Sequence, residues 1–93
     1  MDRAEAKALL LGESAKYRTK SYAELTALVG RPDTYEVKGA SGVVYQLERQ
    51  AFWDHKPNDV LRVSLAIDDG GIRAYMPMTE DFLIAPDGRF VGE

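Results

Sequence analysis

His55, the only histidine of this 93-residue chain, follows Asp54 in the polar stretch from Asp54 to Asp59, and Glu80 and Asp81 lie further along. An imidazole oriented by a carboxylate is the common general base near neutral pH. His55 with Asp54, Glu80 and Asp81 is therefore a candidate catalytic set for a small hydrolase or isomerase. The set lacks a nucleophile: the chain has no cysteine and no G-x-S-x-G elbow, and Ser41 stands between Ala40 and Gly42 in a different loop. The plainer reading is a solvent-exposed loop histidine with acidic neighbours.

Other chemistries are weaker still. Asp68-Asp69-Gly70-Gly71, with Asp87 brought near, offers carboxylates and turn carbonyls of the kind that hold calcium. The D-x-[DN]-x-[DN]-G pattern is missing, and Asp-Gly is above all a hairpin turn. Neither Gly39-Ala40-Ser41-Gly42 nor Gly70-Gly71 leads from a strand into a helix with phosphate-cradling spacing. Zero cysteines and one histidine exclude disulfides, thiolate metal sites and a multi-histidine cluster within one chain. We expect no metal and no cofactor.

Two candidate binding surfaces remain. Lys16, Arg18 and Lys20, interleaved with Tyr17 and Tyr22, are the best nucleic-acid patch, because cations meet phosphates while aromatic rings stack on bases. So few charges more commonly mark a solvated connector. Phe52 and Trp53 are adjacent, so in a strand they point to opposite faces. Trp53 follows the apolar register. Phe52 falls with Gln46, Glu48 and Gln50, and Tyr75 and Arg73 repeat the situation further on. Phe52, Tyr75 and Arg73 thus make a candidate partner-binding face, aromatic residues being enriched at interface centres.

These groups are positioned by two kinds of element. From Asp2 to about Tyr17 the chain is rich in helix formers, Leu10, Leu11 and Ala15 fall on one stripe, and Gly12 weakens or breaks the helix. The stretch from Lys16 to Lys20 reads as a connector. Ser21 and Glu24 fit a capping box, Tyr22, Leu25 and Val29 form a helical stripe, and Gly30 and Pro32 end it. From Thr34 the period changes to two. Tyr35 and Val37 alternate with Glu36 and Lys38, a turn follows at Gly39–Gly42, and Val43, Tyr45, Leu47, Ala51 and Trp53 share the face of a long strand. Leu61, Val63, Leu65 and Ile67 mark a third strand, and Asp69-Gly70-Gly71 its hairpin turn. Ile72, Ala74 and Met76 mark a fourth, ended by Pro77, and a last hairpin turns at Pro86-Asp87-Gly88.

The expected fold is α+β: two N-terminal helices on one face of an antiparallel β-meander of about five strands, in a single domain 1–93 whose residues 1–31 are helical and whose residues 34–93 form the sheet. Hairpins send alternate loops to opposite ends. One end should gather the Asp54–Asp59 loop with Thr79, Glu80 and Asp81, the other Gly39–Gly42, Asp68–Gly71 and Pro86–Gly88.

Ser21-Tyr22-Ala23-Glu24-Leu25 followed by Leu28-Val29-Gly30-Arg31-Pro32 resembles the first helix of some winged helix-turn-helix domains, although Asp33–Lys38 reads as a strand where the recognition helix should come. Over residues 35–93, Tyr35-Glu36-Val37, Tyr45-Gln46-Leu47, Asp68-Asp69-Gly70-Gly71 and the ending Ala85-Pro86-Asp87-Gly88-Arg89-Phe90-Val91-Gly92-Glu93 resemble small bacterial proteins of uncharacterised function. That resemblance implies a bacterial origin and no activity.

Residues 1–31 carry six basic against four acidic side chains and residues 32–93 six against eleven, for a net charge of −3. The acidic segment repels nucleic acid. The longest apolar runs, such as Ala8 to Leu11, are far short of a membrane span, and no basic-then-apolar leader opens the chain, so we expect a cytoplasmic protein without membrane contact. With a small core and no covalent staple, self-association as a homodimer is expected to help stability. A non-enzymatic module that binds a protein partner or its own copy is the leading expectation.

Overall fold

The computed structural model describes residues 2–70 and 77–93. Helices α1 (Arg3–Arg18) and α2 (Tyr22–Thr26) precede strands β1 (Asp33–Lys38), β2 (Val44–Trp53), β3 (Leu61–Asp68), β4 (Met78–Ile84) and β5 (Phe90–Val91). The strands form one antiparallel sheet in the order β1-β2-β3-β4-β5. This is the expected α+β meander, with both helices on one face.

Helix α1 starts where Asp2 accepts the Glu5 N–H at 3.1 Å. It runs unbroken through Gly12, so of the two expected effects, weakening or breaking, the break does not occur. One glycine costs about 1 kcal/mol against alanine, which the surrounding helix formers and the docking of Ala6, Leu10 and Ser14 on the sheet outweigh. Those three residues, at i, i+4 and i+8, are the real buried stripe: Leu11 is 47% exposed and Ala15 faces solvent. Lys16, Tyr17 and Arg18 form the last helical turn rather than a connector. Helix α2 has the full capping box, with Ser21 Oγ accepting from Glu24 N–H at 3.1 Å and Glu24 Oε1 from Ser21 N–H at 2.9 Å. It is shorter than its apolar stripe implies and unwinds through turns to Gly30, whose φ is +76°.

The core lies between helices and sheet in two adjoining clusters. Ala6 and Leu10 pack on Tyr45, Leu47, Leu65 and Ile67, and Leu25 packs on Ala51, Leu61, Val63, Phe82 and Ile84, with Tyr17 touching both.

The strand that follows β3 in the sheet begins later than expected. Its expected residues 72–76 lie outside the described residues, and the strand paired with β3 is Met78–Ile84, with Ile67 opposite Met78 and Leu61 opposite Ile84. Pro77 directly precedes β4. Two consequences follow from parity. Thr79, Glu80 and Asp81 sit within β4, not in a loop, and the Pro86–Gly88 turn lies at the same end of the sheet as the Asp54 loop. The final hairpin itself is as expected, closed by Ala85 N–H to Arg89 O and Gly88 N–H to Ala85 O, both at 2.8 Å.

Candidate functional site

The structure brings together only part of the set expected around His55. The neck of its loop is closed by Asp54 N–H donating to Val60 O at 2.9 Å. His55 itself is 89% exposed, with Nε2 3.4 Å from Asp54 Oδ2. Asp54 is engaged elsewhere: Arg62 donates to it from Nη2 at 2.9 Å and from Nε at 3.2 Å, while Arg62 Nη1 donates to Asp81. These bonds, to Asp54 first and Asp81 second, hold the Arg62 guanidinium above its ordinary pKa. Asp54 and Asp81 are thus brought together by an arginine rather than by the imidazole. Glu80 points to the opposite face of β4, because neighbouring residues alternate, and its carboxylate lies 3.6 Å from Lys7 on α1.

The cation-binding cluster also falls apart. Asp87 sits in the turn at the far end from Asp68, and each caps its own turn, Asp68 accepting from Gly70 N–H at 2.8 Å and Asp87 from Arg89 N–H at 2.9 Å. Among the described residues no group of three His, Cys, Asp or Glu side chains is placed to hold a metal.

In the basic stretch, Lys16 pairs with Glu13 at 2.6 Å. Arg18 pairs with Glu93 at 2.7 Å and lies over the rings of Phe82 and Phe90, at 4.8 and 4.9 Å from their centroids. Tyr17 turns inward, its hydroxyl 3.2 Å from that of Tyr35, and Tyr22 donates to Asp59 O at 2.6 Å. Neither ring is placed to stack on a base, and two of the three cations already have carboxylate partners.

The sheet face opposite the helices is the remaining candidate. Alternation places Glu36 on β1, Gln46, Glu48, Gln50 and Phe52 on β2, Arg62 and Ser64 on β3, and Asp81 on β4 on this face. Gln46 donates to Glu36 at 3.1 Å and Gln50 to Glu48 at 2.6 Å. Phe52, directly opposite Arg62 in the β2–β3 register, is 41% exposed. Of the residues expected on this face, Tyr75 and Arg73 lie outside the described residues.

Beside Phe52 the face meets a groove of about 480 Å³. One wall is Val29, Gly30 and Pro32, where the chain leaves α2, and the other is the end of β2 from Gln50 to Trp53. Its geometry depends on a residue that sequence reading passed over. Arg49 lies on the apolar face of β2, only 6% exposed, and donates from Nη1 to Arg31 O at 2.8 Å. Its guanidinium carbon is 5.9 Å from the Tyr17 ring centroid, and its Nε has no hydrogen-bond partner. Arg49 thereby ties the segment that forms one wall to the strand that forms the other. Its parity with Tyr45, Leu47 and Ala51 was the available signal.

Among the described residues no helix is long and apolar enough to cross a membrane. Comparison of the chain with models of known families, with curated proteins and with solved structures finds no match.

Proposed function

We propose that this protein is a non-enzymatic, cytoplasmic binding module that contacts a protein partner through the sheet face opposite the helices, around Phe52. The observation that carries the reading is Phe52 itself: a large aromatic ring, 41% exposed, between the polar row of Gln46, Glu48 and Gln50 and the Arg62 guanidinium. Isolated exposed apolar residues are ordinary. A ring next to an apolar groove, ringed by hydrogen-bonding side chains, has the composition of an interface centre with a polar rim. The absence of cysteine from the sequence suits a reducing compartment.

The test is native mass spectrometry of the protein gently purified from its own cells, repeated with Phe52→Ala. A stoichiometric second protein that is lost in the variant supports the reading. Partner contacts and copy number identical in both samples refute it.

A further inference from the structure

Resting on that binding-module reading, we infer that the end of β2, Gln50–Trp53, is a strand-addition site that accepts an extended, apolar peptide segment of a partner protein.

The inference starts from unequal strand lengths. Strand β2 has ten residues and β1 six, and their pairing stops at Asp33 opposite Arg49. The chain cannot extend β1 backwards: Pro32 has no N–H to give to a ladder, and Gly30, at φ +76°, turns the backbone away. Among the described residues, 50–53 therefore have a strand on one side only, the β3 side.

The direction of their backbone groups follows from two hydrogen bonds. Gly39 N–H donates to Val43 O at 2.8 Å, so odd-numbered residues of β2 turn both N–H and C=O toward β1. Asp54 N–H donates to Val60 O at 2.9 Å, so even-numbered residues turn theirs toward β3. The phases agree. Ala51 and Trp53 accordingly aim their backbone donors and acceptors into the lane that β1 has left, and neither takes part in a turn or side-chain hydrogen bond among the described residues.

That lane is the groove of about 480 Å³, whose lining contains no charged side chain. Four residues of strand span about 13 Å, room for a short extended segment. The rest of the sheet protects its edges in the usual ways: β1 carries Asp33, Glu36 and Lys38, and β5 has two residues. Gln50-Ala51-Phe52-Trp53 has no charge and no proline. What complements an open row of backbone donors and acceptors between apolar walls is another backbone with alternating apolar side chains. A second copy of this chain is a poorer fit, because its own β2 end comes already walled by Val29 and Pro32.

The test uses the full chain. In the free protein, amide hydrogen exchange by NMR should run at least about a hundredfold faster at Ala51 and Trp53 than at Gln50 and Phe52, which are paired with β3. Peptides selected from a displayed library of random linear sequences should protect Ala51 and Trp53. N-methylating such a peptide should weaken binding by at least about tenfold at alternate positions and leave the intervening ones unchanged. Ala51→Pro removes the edge donor without touching the β2–β3 ladder and should abolish binding; because Ala51 is a buried core site, the peptide N-methyl series provides the same test on unaltered protein. Slow exchange at Ala51 and Trp53 in the free protein overturns the inference, as does a library that yields no binder or one indifferent to N-methylation. A concentration-dependent dimer that protects these amides overturns the peptide occupant. In each case a partner lost on Phe52→Ala leaves the binding-module reading standing, so the two fail separately.

Discussion

The Arg49 guanidinium donates to the Arg31 carbonyl at 2.8 Å, joining the middle of β2 to the segment that leads out of α2. The bond gives the Arg31 carbonyl a charged donor from a buried side chain. It also fixes the distance between the two walls of the groove.

Arg49→Ala should lower unfolding stability by about 1.5–3 kcal/mol, the range for a hydrogen bond to a charged group. Urea unfolding measures this. Trp53 fluorescence should change in the folded variant as the wall formed by Val29 and Pro32 loosens. An unchanged midpoint would mean that the bond contributes nothing net of burying the charge.

Leu10→Ala should cost about 2–5 kcal/mol, because Leu10 is fully buried against the sheet. Leu11→Ala, one position along and 47% exposed, should stay within about 0.5 kcal/mol of the parent. Paired thermal or denaturant melts distinguish them.

Gly12→Ala should raise stability by about 0.5–1 kcal/mol. Gly12 is inside α1, and a Cβ added there meets nothing within 4 Å. A lower melting temperature would contradict the uninterrupted helix.

Stability should fall as pH drops below the ordinary glutamate value of 4.5. Hydrogen bonds from the Ser41 side chain, the Ser41 N–H and the Tyr45 hydroxyl lower the pKa of Glu5 in the folded protein. The Ser21 N–H does the same for Glu24, and Arg18 for Glu93. A carboxylate with a depressed folded pKa contributes fully above its unfolded pKa and loses that contribution as pH falls through the folded value. Melting temperature followed from neutral pH to pH below 4.5 should therefore decline less in Glu5→Gln than in the parent. The buried Tyr45 hydroxyl, pushed up to about 12 by burial and by Glu5, remains protonated throughout that range.

Several features were legible in the sequence because they depend on neighbours within a few residues. The capping box at Ser21 and Glu24 is a contact across three residues. The alternation of Leu61, Val63, Leu65 and Ile67 is a property of the pleat. Phe52 opposes Trp53 for the same reason, and its place beside Gln50 and Glu48 follows from period two alone.

Tertiary structure decided what local spacing leaves degenerate. Leu10 and Leu11 are equally good helix formers, and only the fit of α1 onto Tyr45 and Leu65 buries the first and exposes the second. The strand that pairs with β3 is Met78–Ile84, a segment whose inward row includes Glu80, and this register brings Asp81 into reach of Arg62 and sets Asp87 far from Asp68. Arg49 is polar by type, yet lies inward because its parity matches Tyr45 and Ala51 and a carbonyl awaits it. The unpaired end of β2 exists only as a difference between two strand lengths. Local propensity thus determined helices, strands and faces, whereas pairing partners and the groove were decided by contacts between residues distant in the chain.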